Sequence, residues 1–459
     1  MIRVCKNTHA PINKIPPEIF ALVPDFWDTR NRDRDVITLT HVCHAWREIF
    51  ISRSSLWTNF DCLDGEKTRV YYERSKSSPI NLSLDLNKDI LPHDLFQLIP
   101  HATGRLKSLS VKGRSENVQA VTYHLSHPAP LLEHLSISFG PPTPGYYSSL
   151  PSALFNGDLS SLRTLCLEFV HTELPWRNMV NLTSLALTHI PSIPSGTVFA
   201  GRLLDFFESA PYLNEVQLCD ATPMTGIQDG RLVSLACLES MDIEASVPCS
   251  ALLNHLLIPA GAKLTIRAHL SNSSSIEEHL PRSLDNLKNL SDFTAIELYS
   301  HEYYQHVKFS GPNGQVNIAL SDDRKDLLFE FLAELDTSKT ERLEIDRSHL
   351  LSRETLYRAL LPMKDLRTLT LSRCRSPYTL IHALLPCSSE VVVCPKLEEL
   401  VLTPHPHERI VGVIEMVAAR ASRGEKLRTL RIIGGLDAVD LDVSELGKYV
   451  CNVEYGPMV

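Results

Sequence analysis

Residues 162–190, LRTLCLEFVHTELPWRNMVNLTSLALTHI, contain one apolar pattern twice. The pattern is LxxLxL, and its two copies begin at Leu162 and Leu182, which lie 20 residues apart. Within each copy, the last two leucines alternate with polar or small residues, as is typical of a half-buried β-strand. The stretch therefore predicts two short strands, each belonging to one unit of a repeat.

The same pattern recurs from residue 106 to the C-terminal region, with an apolar residue in each leucine position. Full copies begin at Leu106, Leu132, Leu162, Leu182, Leu213, Leu238, Phe293, Leu366, Leu397 and Leu427, and partial copies begin at Leu264 and Leu343. Neighbouring full copies mostly begin 20 to 31 residues apart. A strand recurring at about this period is the leucine-rich-repeat signature, in which each unit adds one strand to a parallel sheet and returns by a helix or loop.

Most segments between the strands have the apolar spacing of a return helix. The predicted helices are 94–99, 118–125, 203–207, 251–257, 327–335, 355–361 and 410–421. Three residues after the last strand residue, the familiar repeat has Asn or Cys, whereas here the position holds Arg114, Gly140, Val170, Ile190 and Ala221, and only Cys374 conforms. We therefore expect an irregular α/β solenoid with parallel strands and return helices, held mainly by apolar stacking.

One long gap between repeats contains two alternating runs on either side of Pro312-Asn313-Gly314. Such runs around an Asn-Gly turn predict a β-hairpin, which we place at residues 303–320. Two arrangements are compatible with this pattern. The hairpin either lengthens an edge of the sheet or projects from it at a binding site.

The N-terminal stretch 14–57, KIPPEIFALVPDFWDTRNRDRDVITLTHVCHAWREIFISRSSLW, has a different character. Pro16, Pro17 and Glu18 suit the first turn of a helix, where a missing N–H costs nothing and an acid favours the dipole. After a charged bend, Asp35 is a plausible N-cap for a stripe of apolar residues at spacings of three and four. The stripe consists of Leu39, Val42, Trp46, Ile49 and Phe50. Some 45 residues cannot close a core alone, so these faces need the rest of the chain or a partner.

This stretch resembles an F-box of the kind abundant in mushroom-forming fungi. The residues that carry the resemblance are 15–19, IPPEI, then 39–47, LTHVCHAWR, and then 55–57, SLW. The resemblance implies a short three-helix module that docks on a Skp-type adaptor within an SCF ubiquitin ligase. The implied anchors are Pro16, Ile19, Leu39, Val42 and Trp46. Ile15 replaces the commoner leucine, and the charged bend is a few residues longer than usual.

The predicted organisation is an F-box-like adaptor-binding module at 1–60, a linker helix within 61–79 and a leucine-rich-repeat-like solenoid at 80–459. In the alternative interpretation of the N-terminal stretch, Trp46 and Trp57 are ordinary core aromatics of a helical cap on the solenoid.

Composition and net charge indicate which classes of binding partner are expected for this chain. The 459 residues are 43% hydrophobic and 22% charged, which is typical of a folded chain, and the net charge is −9. An acidic chain has no general field for phosphate backbones or anionic lipid, so we expect neither nucleic acid nor membrane as a partner. The chain has no 18-residue apolar run and no apolar secretion segment, and its 11 cysteines form no framework. These features predict a cytoplasmic or nuclear protein.

Signals of catalysis or of a bound cofactor are weak. The chain lacks the GxSxG, GxxxxGK[ST] and GxGxxG motifs. One set of thiols and imidazoles could in principle bind zinc, but its spacing matches no zinc module, and cysteine packs well at repeat turns. The set is Cys374, His382, Cys387, Cys394, His405 and His407. We expect no enzymatic activity, no cofactor and no metal.

The remaining candidate surface is the polar face of the predicted sheet, where acids concentrate at Glu168, Glu215, Asp242 and Glu244. An acidic wall would favour a basic target segment, whereas an ordinary solvated face is the simpler interpretation. Together with the F-box resemblance, this face suggests a substrate-recognition subunit that links the adaptor, and through it a cullin, to an unknown protein target. The alternative is a leucine-rich-repeat interaction scaffold with no role in ubiquitination.

Overall fold

The structure is a computed structural model, and it describes most of the chain. The described ranges are 11–26, 32–61, 65–87, 93–141, 149–151, 154–170, 176–190, 197–221, 230–246, 248–269, 276–279, 286–288, 293–301, 304–312, 314–321, 327–347, 352–374, 377–385, 392–403, 411–434 and 443–456. The chain divides into two compact units, Met1–Pro191 and Ser192–Val459. No helix within the described ranges is long and apolar enough to cross a bilayer.

The first unit begins with three short helices, α1 (Pro17–Leu22), α2 (Arg32–Thr40) and α3 (His44–Ser52). Helix α1 starts as expected, with a proline at its first position and Glu18 in its first turn. The prediction of Asp35 as an N-cap is wrong, because α2 already begins at Arg32. The predicted apolar stripe is also divided between two helices. Helix α2 ends at Thr40, whose carbonyl accepts a hydrogen bond of 2.9 Å from Nε of Arg47 in α3.

The rest of the first unit is a parallel sheet with helices or turns between its strands. The strands are β1 (Asn59–Asp61), β2 (Ile80–Leu86), β3 (Leu106–Gly113), β4 (His134–Phe139), β5 (Thr164–Glu168) and β6 (Ser184–Thr188), each paired with the next. The helices are α4 (Gly65–Arg74), α5 (His93–Ala102) and α6 (Ser115–Tyr123). Helix α4 lies within the predicted linker, and α5 and α6 lie at predicted return helices.

In the second unit, most strands are again parallel and occur where the repeat pattern predicts them. They are β7 (Glu215–Cys219), β9 (Ser240–Ala245), β11 (Lys263–His269), β12 (Ala295–His301), β15 (Arg342–Asp346), β16 (Thr368–Ser372), β17 (Glu399–Thr403), β18 (Thr429–Ile433) and β19 (Asn452–Gly456). A separate two-stranded ladder joins β8 (Val233–Ser234) to β10 (Leu256–Leu257). The chain is therefore an α/β protein with a large, mostly parallel sheet.

The helices of the second unit occupy most of the predicted return segments. They are α7 (Thr197–Ser209), α8 (Ser250–Leu253), α9 (Leu327–Glu334), α10 (Arg353–Leu360), α11 (Pro377–Ala383), α12 (Val413–Ser422) and α13 (Val443–Leu446). The helix predicted at 251–257 is wrong in its second half, because α8 ends at Leu253 and the chain then forms β10. The sequence pattern did not predict α11.

The predicted hairpin exists, but both expectations for its position are wrong. It consists of β13 (Tyr304–Ser310) and β14 (Gln315–Ser321) and lies inside the sheet. Strand β14 pairs in parallel with β11, β13 pairs antiparallel with β14 and with β12, and β12 pairs in parallel with β15. After β11 the chain skips two positions in the sheet and forms β12. Strands β13 and β14 then occupy the two skipped positions. Buried residues on one face of the hairpin, Val307, Phe309, Val316 and Ile318, explain why it joins the core.

Strand ends repeat one turn geometry. The residue that follows the strand has a positive φ in five repeats, at Phe169, His189, Asp220, Arg347 and Arg373, with values from 44° to 53°. Three residues after the last leucine of the motif, four of these turns are followed by a buried side chain. Val170, Ile190, Ala221 and Cys374 are all buried there. Side chains at these turns are therefore packed in the interior of the protein.

A buried arginine is the main polar exception in the core of the second unit. Arg420, in α12, is fully buried and donates from Nη1 to the Val393 carbonyl and from Nη2 to the Cys394 carbonyl, each at 2.8 Å. Burial lowers the pKa of Arg420 and raises the pKa of the Cys394 thiol to about 12. The guanidinium thus joins the last turn of α12 to the segment before β17 through two hydrogen bonds.

Replacing Arg420 with alanine should lower the free energy of unfolding by about 3 kcal/mol, because a cavity forms and two buried carbonyls lose their donor. Chemical denaturation of the full chain measures this change. Arg423→Ala provides the control, since Arg423 is exposed on the same stretch and its loss should cost less than about 0.5 kcal/mol. Equal stability of the two variants would contradict a structural role for the buried guanidinium.

Candidate functional site

The N-terminal helices expose an unusual amount of large apolar surface. Ile19 is 58% exposed, Val42 53% and Phe26 86%. Ile12, Ile15 and Leu22 are exposed as well. Ile19 and Leu22 lie three residues apart in α1 and so share one face of that helix. This group of exposed side chains, Ile12, Ile15, Ile19, Leu22, Phe26 and Val42, is called the apolar patch below.

The opposite side of the same helices forms a small aromatic core. Phe20 of α1 is buried, and its ring centroid lies 4.6 Å from that of Trp46 and 5.2 Å from that of Phe50. The Trp46 indole Nε1 also donates to Asn13 Oδ1 at 2.6 Å. Packing through Phe20 therefore holds α1 against α3 and turns Ile19 and Leu22 outward.

The five predicted anchors fall into two classes. Pro16, Ile19 and Val42 are exposed, whereas Leu39 and Trp46 are half-buried. The contacts of Trp46 with Phe20 and Asn13 mean that it supports the module from within. Sequence periodicity could not separate these classes, because it marks every apolar residue alike.

A second aromatic cluster connects α3 to α4. Trp57 is fully buried, its ring lies 4.9 Å from that of Tyr71, and the Arg74 guanidinium lies 4.4 Å from its centre. Its Nε1 donates to the carbonyl of Phe50, at 2.9 Å. Trp57 is thus a core aromatic residue. We call Trp57, Tyr71 and Arg74 the Trp57 clamp.

The polar face of the first unit's sheet is made of short side chains. In one row across four strands, Ser110 lies opposite Ser136, Ser136 opposite Cys166, and Cys166 opposite Ala186. The predicted target-binding residue Glu168 lies on this face and accepts a hydrogen bond of 2.6 Å from Ser138 Oγ. Its carboxylate is therefore held by a neighbouring strand.

The three other predicted acids lie on β7 and β9 in the second unit. Arg267 of β11, which the sequence analysis did not consider, donates to Asp242 at 2.8 Å and to Glu244 at 3.2 Å. Burial acts to lower the pKa of Arg267, but the two carboxylates outweigh it and raise the pKa. Glu215 is exposed and, within the described part of the chain, forms no ion pair. Arg267 on the neighbouring strand β11 therefore neutralises two of the four predicted acids, Asp242 and Glu244.

One buried thiol and imidazole lie together without forming a reactive pair. Cys249 Sγ lies 3.8 Å from His279 Nδ1 and donates to the His279 carbonyl at 3.0 Å. Burial raises the pKa of Cys249 to about 12 and lowers that of His279. The thiol therefore stays protonated near neutral pH, and a thiol in that state is a poor nucleophile and metal ligand.

The cysteines weighed as zinc ligands have separate structural contacts. Cys374 donates to the Ile345 carbonyl at 3.4 Å, and Cys394 donates to the Leu360 carbonyl at 3.5 Å. Both are buried at repeat turns. Cys387, His405 and His407 lie outside the described residues.

Comparison with known proteins adds no relative. A scan against models of protein families finds no match to this chain, and no curated protein is significantly similar to it.

Proposed function

We propose that the chain is the substrate-recognition subunit of an SCF-type ubiquitin ligase. In this proposal the N-terminal helices act as an F-box-like module that binds a Skp-type adaptor and, through it, a cullin. The observation that carries the proposal is the apolar patch, which a chain with a well-buried core elsewhere leaves open to solvent. Exposed apolar clusters of this kind mark sites of protein association.

The contacts assign different roles to the residues of the module. Pro16, Ile19 and Val42 are exposed and would bury apolar area against the adaptor, where each well-placed side chain contributes about 2 kcal/mol. Leu39 and Trp46 support these anchors from the half-buried side. The Trp57 clamp connects the module to α4, because Trp57 contacts Phe50 of α3 and both Tyr71 and Arg74 of α4.

The sheet supports the second half of the proposal, an irregular leucine-rich-repeat solenoid that holds a protein target. Strands recur with buried leucines on one face and half-exposed polar residues on the other, as in β5 and β16. The function would be to bring the target and a charged conjugating enzyme onto one assembly. Tethering replaces a dilute encounter with a high effective concentration, while the transfer chemistry occurs on other subunits.

Affinity purification of the tagged chain with the proteasome inhibited tests this function. The proposal predicts that a Skp-type adaptor and a cullin co-purify, together with a protein whose ubiquitination depends on the chain. Recovery of the adaptor without any cullin would favour the alternative, an interaction scaffold with no role in ubiquitination. Recovery of neither would remove the proposal.

A further inference from the structure

The β12–β13 hairpin brings aromatic and cationic groups together on the polar face of the second unit. The ring centroids of Tyr299 and Tyr304 lie 6.3 Å apart. The Arg347 guanidinium lies 5.7 Å from the centre of the Tyr299 ring, and its Nη1 donates to the Tyr299 hydroxyl at 3.3 Å. Stacking on Tyr299 therefore orients the guanidinium.

The sheet register places this cluster at the end of the ladders that the neighbouring strands form with β12 and β13. Strand β15 pairs with β12 only as far as Tyr299, and β14 pairs with β13 only from Gln305 onward. The β12–β13 ladder continues beyond both limits, through the pair His301 and Tyr304. The tip thus extends past its neighbouring strands, and Tyr304 is 43% exposed.

Two carboxylates on the strands that carry this cluster have basic partners. Asp346 accepts two hydrogen bonds from Arg373, at 3.0 and 2.6 Å, and Glu297 accepts one from Lys308 at 2.6 Å. Arg347 is exposed and forms no ion pair with any described residue. The planar fork of an exposed arginine matches the geometry of a carboxylate.

The imidazole beside the cluster does not add a second positive charge. His306 lies directly opposite Tyr299 in the antiparallel ladder and is half-buried. Burial lowers the pKa of His306, so its ring is neutral at physiological pH. Arg347 is the cation that an acidic ligand would meet beside the two tyrosine rings.

We propose that Tyr299, Tyr304 and Arg347 form a docking point for an acidic segment of a protein target, in which Asp or Glu adjoins an aromatic or other large apolar residue. The ligand carboxylate would pair with Arg347 and the apolar side chain would pack on the tyrosine rings. Tyrosine and arginine are among the residues that contribute most to binding at protein interfaces. This inference rests on the proposed function only in assigning the segment to a ubiquitination target.

Selection of peptides from a random library on the purified full chain, without any adaptor, tests the docking point. We expect the selected peptides to be enriched in Asp or Glu beside Phe, Tyr or Leu. Their affinity, measured by fluorescence anisotropy, should fall at least tenfold with Arg347→Glu and with Tyr304→Ala. Arg347→Lys, which keeps the charge but not the fork, should weaken binding less than Arg347→Glu.

Arg342→Glu is the matched control, because Arg342 is an exposed arginine at the start of β15, the strand that Arg347 follows, and lies about 16 Å from Arg347 at a strand's usual rise. It should leave peptide affinity unchanged. The proposal is overturned by failure to select any peptide, by selection of basic peptides, or by equal effects of the two glutamate variants. It is also overturned if synthetic peptides bind only with phosphoserine in place of the acid. Since the adaptor is absent, failure here leaves the adaptor-binding proposal standing.

Discussion

Replacing Ile19 and Val42 together with glutamate is expected to weaken binding of a Skp-type adaptor by about 1,000-fold. Two exposed apolar anchors at about 2 kcal/mol each account for this loss, and burying an unpaired carboxylate adds to it. Thermal stability of the chain alone should remain unchanged, because both side chains are more than half exposed. Isothermal titration calorimetry measures the affinity, and thermal denaturation measures the stability.

Val180→Glu provides the control for this pair, since Val180 is an exposed valine in the first unit but lies outside the apolar patch. It should bind the adaptor as the unmodified chain does. Trp46→Ala is a poorer test, because the contacts of Trp46 with Phe20 and Asn13 predict a loss of folding as well as of binding. Full adaptor affinity in the Ile19 and Val42 variant would contradict the docking role of the patch.

Replacing Trp57 with alanine should give the largest loss of stability in the first unit. The side chain is fully buried between Phe50, Tyr71 and Arg74, and truncating a buried aromatic of this size costs about 4 kcal/mol. We expect the helices α1–α3 to detach from α4 more often. Limited proteolysis between residues 58 and 80 should therefore be much faster, while the strands of the second unit keep their protection from hydrogen exchange.

Trp57→Phe separates the packing of the clamp from its hydrogen bond. Phenylalanine keeps an aromatic ring next to Tyr71 and Arg74 but cannot donate to the Phe50 carbonyl. Its cost should be about 1 to 2 kcal/mol, well below that of alanine. If cleavage between residues 58 and 80 were as slow in the alanine variant as in the unmodified chain, the clamp would not couple the helices α1–α3 to α4.

The strands could be predicted from the sequence because each one buries alternate leucines, and period-two burial appears directly in the chain. Leu165 and Leu167 are fully buried, for example, whereas Thr164, which precedes Leu165, and Cys166, which lies between the two leucines, are half-exposed. Helices with a strong apolar stripe, such as α6 and α12, were predictable for the same reason. Helix boundaries were less so, and Asp35 illustrates the limit. Its preference for an N-cap is weaker than the tendency of Arg32 and the residues after it to continue the helix.

Contacts between strands could not be predicted, because they depend on register and strand order. Arg267 neutralises Asp242 and Glu244 only because β11 is the neighbour of β9. The order of strands around the hairpin likewise follows from where its apolar face can be buried, which local alternation does not encode. Tyr299 and Arg347 lie 48 residues apart and meet only because β12 pairs with β15.

The most direct test of the account combines purified chain with a purified Skp-type adaptor and compares hydrogen exchange with and without it. If the N-terminal helices bind the adaptor, we expect a one-to-one complex on size-exclusion chromatography. Amide hydrogens of residues 15–26 and 39–50 should exchange more slowly in the complex, and those of β7 to β19 should exchange as in the free chain. A chain that elutes free of the adaptor, or protection confined to the strands of the second unit, would contradict it.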